Sequence, residues 1–320
     1  MNHPADARPV DPETPDPVKN PADDPRLRRI LADACQQRGL DVTGARPVHR
    51  YNNTIYLLPA EHAVARLTGA SSTAASIEVT QRFASWVAAE HGVAATAPLP
   101  GTTPVTVDDV TIGFWAYYPQ PDGFAPTSAQ LARQLHALHR AASAPFTLPR
   151  WVPLGSLTTA VTEPAATLAL TDDERTWLTA TIEQIRAEVH ELDWALDSGP
   201  IHGDAWAGNL LRDTAAGPDS VVLGDWDNVC LGPREVDLIP SWHAALRYGR
   251  GQRWAEAFAE IYGYDLATWP GFDVLLRMRD LVQLTGPLRR AATEPTLAQG
   301  LRQRFTAIRD NDRTTVWRAY

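Results

Sequence analysis

Apolar residues recur along this chain with two different spacings, and the spacing changes near residue 120. Before that point, short apolar runs alternate with turn residues. Residues 54–58 and 63–67 flank the sequence Pro-Ala-Glu-His and predict a β-hairpin, and residues 105–107 and 110–118 predict a second hairpin around two aspartates.

The same part of the chain also contains two stretches with helical spacing. Residues 26–38 are rich in arginine and stop at Gly39, and a glycine after the last periodic residue commonly ends a helix. Residues 73–91 place Ile77 and Phe83 on one face. Residues 26–120 are therefore predicted to form a small lobe of strands and helices.

Beyond residue 120, helical spacing dominates. Thr171 and Glu174 have the spacing of a capping box, which opens a long helix predicted to end at Gly199. Further helices are predicted at residues 128–142, 238–249, 252–262, 273–292 and 296–310. Residues 121–320 are expected to form a larger, mainly helical lobe, so the fold class is α+β.

The first 25 residues differ from both lobes. They are rich in Pro and Asp and nearly lack large apolar residues, so they cannot bury enough surface to offset the entropy of ordering. We expect a disordered tail at residues 1–25. The tail has no apolar leader, no later run is long enough to cross a bilayer, and the chain has only two cysteines, so we expect a cytoplasmic protein.

The net charge of −9 is unevenly distributed. Residues 1–25 carry −4, residues 26–150 carry +3 and residues 151–320 carry −8. This asymmetry suits a cleft with an anion on one wall and cations on the other, and solvated acidic helices explain it equally well. No basic run with interleaved aromatics is present, which disfavours nucleic acid as a partner.

Lys19 is the only lysine in the chain. A phosphate loop of the Gly-Lys type and Schiff-base chemistry both need a lysine in the folded part of the protein. Both mechanisms are therefore excluded.

The candidate chemistry lies in two neighbouring segments. Residues 201–211 contain His202 and Asp204, followed five residues later by Asn209. Residues 221–227 form a predicted strand that ends in Asp225 and Asp227, and a turn at 213–220 joins the two segments into a hairpin.

This hairpin supplies what phosphoryl transfer requires, namely a carboxylate to accept a hydroxyl proton and oxygen ligands for magnesium. A metal hydrolase would need further histidine ligands, and the other histidines show no ligand spacing. A non-catalytic binding module would be expected to lack one of the three key residues. Membrane or partner-helix binding would need an exposed amphipathic stripe, whereas the Trp-rich helices are explained as core.

The motif His-Gly-Asp-x-x-x-x-Asn, the Asp-Trp pair at residue 225 and the Gly-Pro…Asp-Leu segment at 232–238 resemble the aminoglycoside phosphotransferase and choline kinase-like superfamily. The resemblance covers about residues 45–260. It implies a two-lobed protein-kinase-like fold with ATP or GTP between the lobes. It also implies that Asp204 is the base and that Asn209 and Asp225 bind Mg²⁺.

The resemblance assigns supporting roles as well. His202 and Asp237 would hold the catalytic loop. In the small lobe, a nucleotide-covering loop would contain Asn53, and Arg66, paired with Glu78, would take the place of the usual phosphate-contacting lysine. The connector between the lobes, with Ala116 and Tyr118, would meet the nucleotide base.

The acceptor is expected to be a small molecule with a hydroxyl group. Trp206, Asp227, Trp242 and Arg247 are candidates for contacting it, and Asp227 could equally be a solvated acid. The superfamily includes kinases for antibiotics and for choline, homoserine or sugars, and an antibiotic of aminoglycoside, nucleoside or peptide type is the preferred prediction. The protein is expected to be a monomer or homodimer.

Overall fold

A five-stranded antiparallel sheet forms the small lobe, with strand order β1-β2-β3-β5-β4. The structure is a computed structural model, and it describes residues 23–50, 53–69 and 72–318. The strands are β1 (Arg46–Arg50), β2 (Thr54–Leu58), β3 (Ala63–Thr68), β4 (Val105–Val107) and β5 (Val110–Ala116). Both predicted hairpins are present, as β2–β3 and β4–β5, which confirms the assignment of this lobe.

Two helices complete the small lobe in sequence, α1 (Pro25–Arg38) and α2 (Ala74–His91). Asp24 caps α1 by accepting a hydrogen bond from the Arg26 N–H at 2.9 Å, and Gly39 ends the helix with a φ of 67°. The predicted tail therefore extends too far, because Asp24 and Pro25 belong to the folded part. Residues 1–22 of that tail lie outside the described residues.

The large lobe is mainly helical and carries two short two-stranded sheets, β6–β9 and β7–β8. Its helices are α3 (Ser128–His139), α4 (Gly155–Thr162), α5 (Pro164–Ala169), α6 (Asp172–His190), α7 (Glu235–Arg247), α8 (Gln252–Tyr262), α9 (Phe272–Val282), α10 (Thr285–Arg290) and α11 (Pro295–Arg309). Its strands are β6 (Ser198–Ile201), β7 (Leu210–Arg212), β8 (Val221–Leu223) and β9 (Cys230–Pro233). The predicted small antiparallel lobe and larger helical lobe are thus confirmed.

Several predicted boundaries in the large lobe were wrong. The capping box of Thr171 and Glu174 is present, but α6 ends at His190, and Gly199 pairs with Gly232 in β6–β9. The single helix predicted at residues 273–292 is divided into α9 and α10. Pro287 lacks an N–H and cannot continue a helix, and it is tolerated here because it lies in the first turn of α10. Helices α4 and α5 were not predicted.

The hydrophobic packing does not follow the division at residue 120. The sheet and α1 enclose one core, which includes Ile30, Tyr56 and Phe114. Helix α2 instead contributes Phe83 and Val87 to the core of the large lobe. Helix α2 therefore packs on the large lobe as well as on β5, where Gln81 donates to the Phe114 carbonyl at 2.9 Å.

The segment after α2 is also tied to the large lobe by hydrogen bonds. The Thr96 N–H donates to the Leu223 carbonyl at 2.9 Å, and the Leu223 N–H donates to the Ala94 carbonyl at 2.7 Å. Strand β8, which leads to Asp225, is thereby fixed against the end of α2. No helix in the described part of the chain has the length and apolar character needed to cross a membrane.

Candidate active site

The loop after β6 brings Asp204 to the cleft between the lobes. Gly203 has a φ of 82°, and a Cβ at this position would lie 2.3 Å from the Asn228 carbonyl oxygen. Only glycine permits this close backbone approach. The Asp204 side chain is one-third exposed (33%), so it remains accessible from the cleft.

Asn209 lies at the end of a 3-10 turn and points its amide at the same loop. Its Nδ2 donates to the Asp204 carbonyl oxygen at 2.8 Å. This bond fixes which way the amide faces, and it leaves the amide oxygen as the atom able to hold a cation. The residue is buried, so its orientation is well restrained.

Asp225 follows β8 in an uncommon backbone conformation, with φ 59° and ψ 53°. This left-handed geometry turns the chain sharply, and Asp and Asn tolerate it better than most residues. Trp226 holds the turn by donating from Nε1 to the Leu223 carbonyl at 2.9 Å. Its ring is buried against His202, with centroids 5.0 Å apart, so the turn packs directly on the loop that carries Asp204.

Asp237, at the start of α7, fixes the loop from beneath. Its Oδ2 accepts from the His202 N–H at 2.6 Å and its Oδ1 accepts from the Gly203 N–H at 2.8 Å. His202 in turn donates from Nε2 to the Gly224 carbonyl at 2.8 Å. Both side chains are completely buried, as expected for residues that support the loop and do not touch substrate.

His139 of α3 extends this network and was not identified from the sequence as a functional residue. Its Nε2 donates to Asp237 Oδ2 at 3.0 Å, and its Nδ1 accepts from the Tyr262 hydroxyl at 2.7 Å. Burial raises the pKa of Tyr262, so the hydroxyl remains a donor. The available signal was the spacing, because His139 follows Leu135 by four residues on the apolar face of α3.

Arg66 of β3 crosses the cleft to the two acids of the large lobe. Its Nη2 lies 2.7 Å from Asp225 Oδ1 and 2.7 Å from Asp227 Oδ2. The predicted pair with Glu78 was wrong. Glu78 is exposed on α2, and the helix instead turns Thr80 and Gln81 inward.

The Arg66 charge decides the protonation of its neighbours. Burial alone would raise the pKa of Asp225, but the guanidinium outweighs burial and holds that pKa below its usual value. For Asp227 burial is the larger effect, and the pKa of this carboxyl is raised despite Arg66. Burial lowers the pKa of Arg66, the two carboxylates raise it, and the net shift is upward.

The residues around Asp225 fit a magnesium ion. Asp225 Oδ1 lies 2.7 Å from Arg66 Nη2, and a carboxylate has further lone pairs with which it can hold a cation. With the amide oxygen of Asn209 it provides the hard oxygen ligands that Mg²⁺ prefers. Among the described residues no group of three or more His, Cys, Asp or Glu could hold a metal ion, so such a site depends on the amide of Asn209.

The predicted nucleotide contacts fall on both sides of the cleft. The Asn53 side chain hydrogen-bonds to Asp227, so it lies beside the acids. In the connector, the Ala116 N–H donates to the Ala97 carbonyl at 2.8 Å and is not available to a nucleotide base. Tyr118 accepts from the Ala97 N–H through its hydroxyl at 3.2 Å.

The four predicted acceptor contacts divide into two pairs. Trp206 lies in the catalytic loop, half-buried, with its ring over Gly208, and Asp227 faces the cleft. Trp242 and Arg247 were wrongly placed there. Trp242 is buried against Phe258, with centroids 5.5 Å apart.

Arg247 is 3% exposed and holds Asp280 of α9 through two hydrogen bonds, of 2.9 Å and 2.6 Å. Its guanidinium also lies over the Trp317 ring, 4.7 Å from the centroid. The sequence could not distinguish this buried ion pair from a site arginine, because both occupy a helix near the end of an apolar face.

Arg279 of α9 was missed by the sequence analysis. Its Nη1 donates to Asp204 Oδ1 at 2.9 Å, so a guanidinium lies directly beside the candidate base. The two residues are 75 positions apart in the chain, and nothing in the local pattern around Arg279 distinguishes it from its neighbours. Only the folded arrangement of α9 against the loop shows the pair.

Solved structures with the same fold include several small-molecule kinases. A microcompartment-associated aminopropanol kinase is 18% identical over 87% of this chain and 94% of its own, with a TM-score of 0.66. Choline kinase LicA from Streptococcus pneumoniae is 11% identical over 88% of this chain and 99% of its own, with a TM-score of 0.58. A spectinomycin phosphotransferase in complex with ADP and spectinomycin is 14% identical over 88% of this chain and 93% of its own, with a TM-score of 0.56.

No curated protein sequence matches the chain. Residues 44–275 match the family model described as the phosphotransferase enzyme family, and this range contains the catalytic loop, the Asp225 turn and Arg66. The match covers well over half of the chain. The chain therefore belongs to the phosphotransferase enzyme family and is an O-phosphotransferase.

Proposed function

We propose that this protein transfers the γ-phosphate of ATP or GTP to a hydroxyl group of a small molecule, with Asp204 as the base and with Asn209 and Asp225 as magnesium ligands. The observation that carries the proposal is the convergence of these three residues. The Asn209 amide is hydrogen-bonded to the Asp204 backbone. Gly224, which precedes Asp225, donates from its N–H to the Asn209 carbonyl and accepts at its own carbonyl from His202, so the Asp225 turn is bonded to both of these positions.

In this mechanism the acceptor hydroxyl lies against the Asp204 carboxylate. Arg279 occupies Oδ1, and Oδ2 accepts no hydrogen bond from the described residues, so Oδ2 is the oxygen that receives the proton. As the hydroxyl oxygen bonds to the γ-phosphorus, the bond from that phosphorus to the oxygen bridging the β- and γ-phosphates breaks, and the nucleoside diphosphate, ADP or GDP, leaves. Asn209 and Asp225 would hold the Mg²⁺, which would supply positive charge to the phosphate oxygens.

Arg66 contributes from the opposite wall of the cleft. Its guanidinium is placed to contact phosphate oxygens while remaining close to Asp225 and Asp227. A planar fork can bind a phosphate and a carboxylate together, which a lysine ammonium does less readily. We propose that Arg66 orients the nucleotide phosphates without Glu78.

We further propose that the acceptor is an antibiotic with a hydroxyl group and that the protein gives resistance or self-protection. The fold shared with a spectinomycin phosphotransferase supports this proposal. The charge of the second half no longer supports a polycationic acceptor, because Asp204, Asp225 and Asp227 each contact an arginine. A metabolic kinase is the second candidate, supported by the fold shared with an aminopropanol kinase.

An acceptor screen with radiolabelled ATP and GTP tests the proposed activity. Wild-type protein and Asp204→Asn are incubated with panels of antibiotics and with choline, homoserine and simple sugars. Transfer to an antibiotic that is lost in Asp204→Asn, together with protection of a sensitive host, supports the first candidate. Transfer only to the simple metabolites replaces it with the second, and the absence of Asp204-dependent transfer to every compound contradicts the proposed activity.

A further inference from the structure

The candidate base lies in a balanced electrostatic environment. Asp204 forms an ion pair with Arg279, whose side chain is 13% exposed, and the Asp204 side chain is 33% exposed. Other acids of the large lobe are engaged away from the loop. Glu188 pairs with Arg277, and Asp280 pairs with Arg247. At the loop itself, the Arg279 guanidinium offsets the charge of Asp204.

Arg279 has hydrogen-bonding capacity that the protein does not use. A guanidinium has five N–H donors, and the contact with Asp204 engages only Nη1. The Nε atom is buried and has no hydrogen-bond partner among the described residues. The buried Nε is out of reach of a ligand, so a carboxylate would be bound by the remaining N–H groups of Nη1 and Nη2 at the outer end of the guanidinium.

Helix α9, which carries Arg279, is held in place by a buried cluster around the next residue. The next residue, Asp280, is held by Arg247 at 2.6 Å and lies 3.1 Å from His243 Nε2. All three of these side chains are buried, and they fix α9 against α7. Arg279 therefore projects from a well-held helix, which suits a residue that selects among ligands.

An acceptor must place its hydroxyl within hydrogen-bond reach of Asp204, and a group two to four bonds from that hydroxyl can then reach Arg279. The Asp204 carboxylate offsets part of the guanidinium charge, so a carboxylate would be favoured there chiefly by hydrogen bonds from the unused donors, whereas an ammonium could form none with them.

We propose that Arg279 is a specificity-determining residue of the acceptor site, which binds a carboxylate carried by the acceptor close to the hydroxyl that is phosphorylated. The inference rests on the proposed function and narrows it to hydroxy acids, hydroxy amino acids or antibiotics with such a group. A purely structural role would leave the choice between charged and uncharged acceptors unchanged when Arg279 is replaced.

The test compares pairs of compounds that differ only by a carboxylate. L-Homoserine and 3-amino-1-propanol, L-serine and ethanolamine, and glycerate and ethylene glycol are titrated calorimetrically into protein loaded with Mg²⁺ and ADP. In at least one pair, we expect the carboxylated member to bind the wild type at least tenfold more tightly. Arg279→Gln should abolish that preference, and Arg279→Lys should keep a part of it, because an ammonium retains the charge without the fork.

Arg277→Gln is the matched control. It removes the same charge from the same helix, but Arg277 pairs with Glu188 and Asp273 on another face. This variant should keep the wild-type preference, and its melting temperature provides the reference for the folding of Arg279→Gln. The comparison of each carboxylated compound with its partner uses wild-type protein alone, so it still tests the inference if Arg279→Gln does not fold.

The inference is overturned if no carboxylated compound binds better than its partner, or if Arg279→Gln keeps the preference. Phosphotransfer is measured separately, as Asp204-dependent consumption of ATP in the presence of each compound that binds. Transfer to acceptors without any carboxylate preference rejects only this inference. Binding without Asp204-dependent transfer rejects the proposed function instead.

Discussion

Arg66 in the sheet of the small lobe and Asp225 in the large lobe lie 2.7 Å apart across the cleft. This ion pair joins the two walls of the cleft at the point where phosphate is expected. Asp227 shares the same guanidinium, so one arginine balances two carboxylates.

Replacing Arg66 tests its proposed contact with the nucleotide. Arg66→Ala should raise the KM for nucleotide and lower kcat together, with a loss of about 2–4 kcal/mol in transition-state stabilisation, because a desolvated charge contact is removed. Arg66→Lys should recover a part of the loss. Arg46→Ala, on the exposed edge of β1, is the control. Unchanged kinetics in Arg66→Ala would remove the residue from the site.

Asp204→Asn removes the base but keeps the shape of the side chain. Turnover should fall at least about 100-fold, whereas the Kd for nucleotide should stay within a few-fold of the wild-type value, because the magnesium ligands remain. Fixed-time phosphotransfer assays measure the turnover, and a nucleotide titration measures the Kd. Asp219→Asn, in the exposed turn between β7 and β8, serves as the control. Near-normal turnover in Asp204→Asn would exclude this residue as the base.

Two replacements of Asp225 separate its charge from its backbone conformation. Asp225→Asn and Asp225→Ala should both weaken magnesium-dependent nucleotide binding. Asn tolerates the left-handed φ of 59°, whereas Ala should cost about 1 kcal/mol more in the free energy of unfolding. Urea unfolding measures this difference. Equal stability of the two variants would show that the turn relaxes when Asp is lost.

His243 predicts a pH dependence of stability. Burial lowers its pKa from 6.5 to about 4, although the hydrogen bond with Asp280 acts in the opposite direction. The unfolded chain therefore takes up a proton as the pH falls through 6.5, while the folded chain resists until about 4. The stability contributed by neutral His243 is complete above this window and is lost within it, to the extent of about 3 kcal/mol.

Urea unfolding between these two pH values measures the effect. His243→Gln should be less stable than wild type at neutral pH, and the difference should narrow as the pH falls. His190→Gln, at the exposed end of α6, should follow the wild-type curve. Parallel curves for wild type and His243→Gln would assign the pH dependence to other groups.

The boundary of the amino-terminal segment can be tested by two truncations. A chain that begins at Asp23 should keep its melting temperature within a degree or two, because residues 1–22 have the composition of a segment without a core. A chain that begins at Arg26 loses the Asp24 cap, worth about 1 kcal/mol. It also loses the contacts of Asp23 with Arg28 and with the Tyr56 hydroxyl. Equal melting temperatures would show that these contacts contribute nothing.

The sequence predicted the elements that depend on local signals. The hairpins were predicted from the alternation of apolar runs and turn residues. The loop proposed to carry the base was identified from the spacing of Asp204, Asn209 and Asp225. Helix α6 was predicted at its start, where the capping box is local, and was wrong at its end, where Gly199 pairs with a strand 33 residues later.

Charge partners were the part that the sequence could not predict. Arg66 was recognised, but its partner was taken from a family pattern and is in fact the pair of acids after β8. Arg247 and Arg279 lie on neighbouring helices, and only packing decides that the first is buried and that the second reaches Asp204. An arginine side chain is long, so its contact depends on the directions of distant elements.

The contacts of α2 bear on how the cleft can open. Phe83 packs on Trp226, with centroids 5.7 Å apart, while Gln81 of the same helix donates to the Phe114 carbonyl of β5 at 2.9 Å. Helix α2 thus joins the Asp225 turn to the sheet, and the ion pairs of Arg66 with Asp225 and Asp227 are contacts that a widening of the cleft would have to break. We expect nucleotide exchange to break the Arg66 contacts first, while the catalytic loop and its supporting network stay assembled for the next cycle.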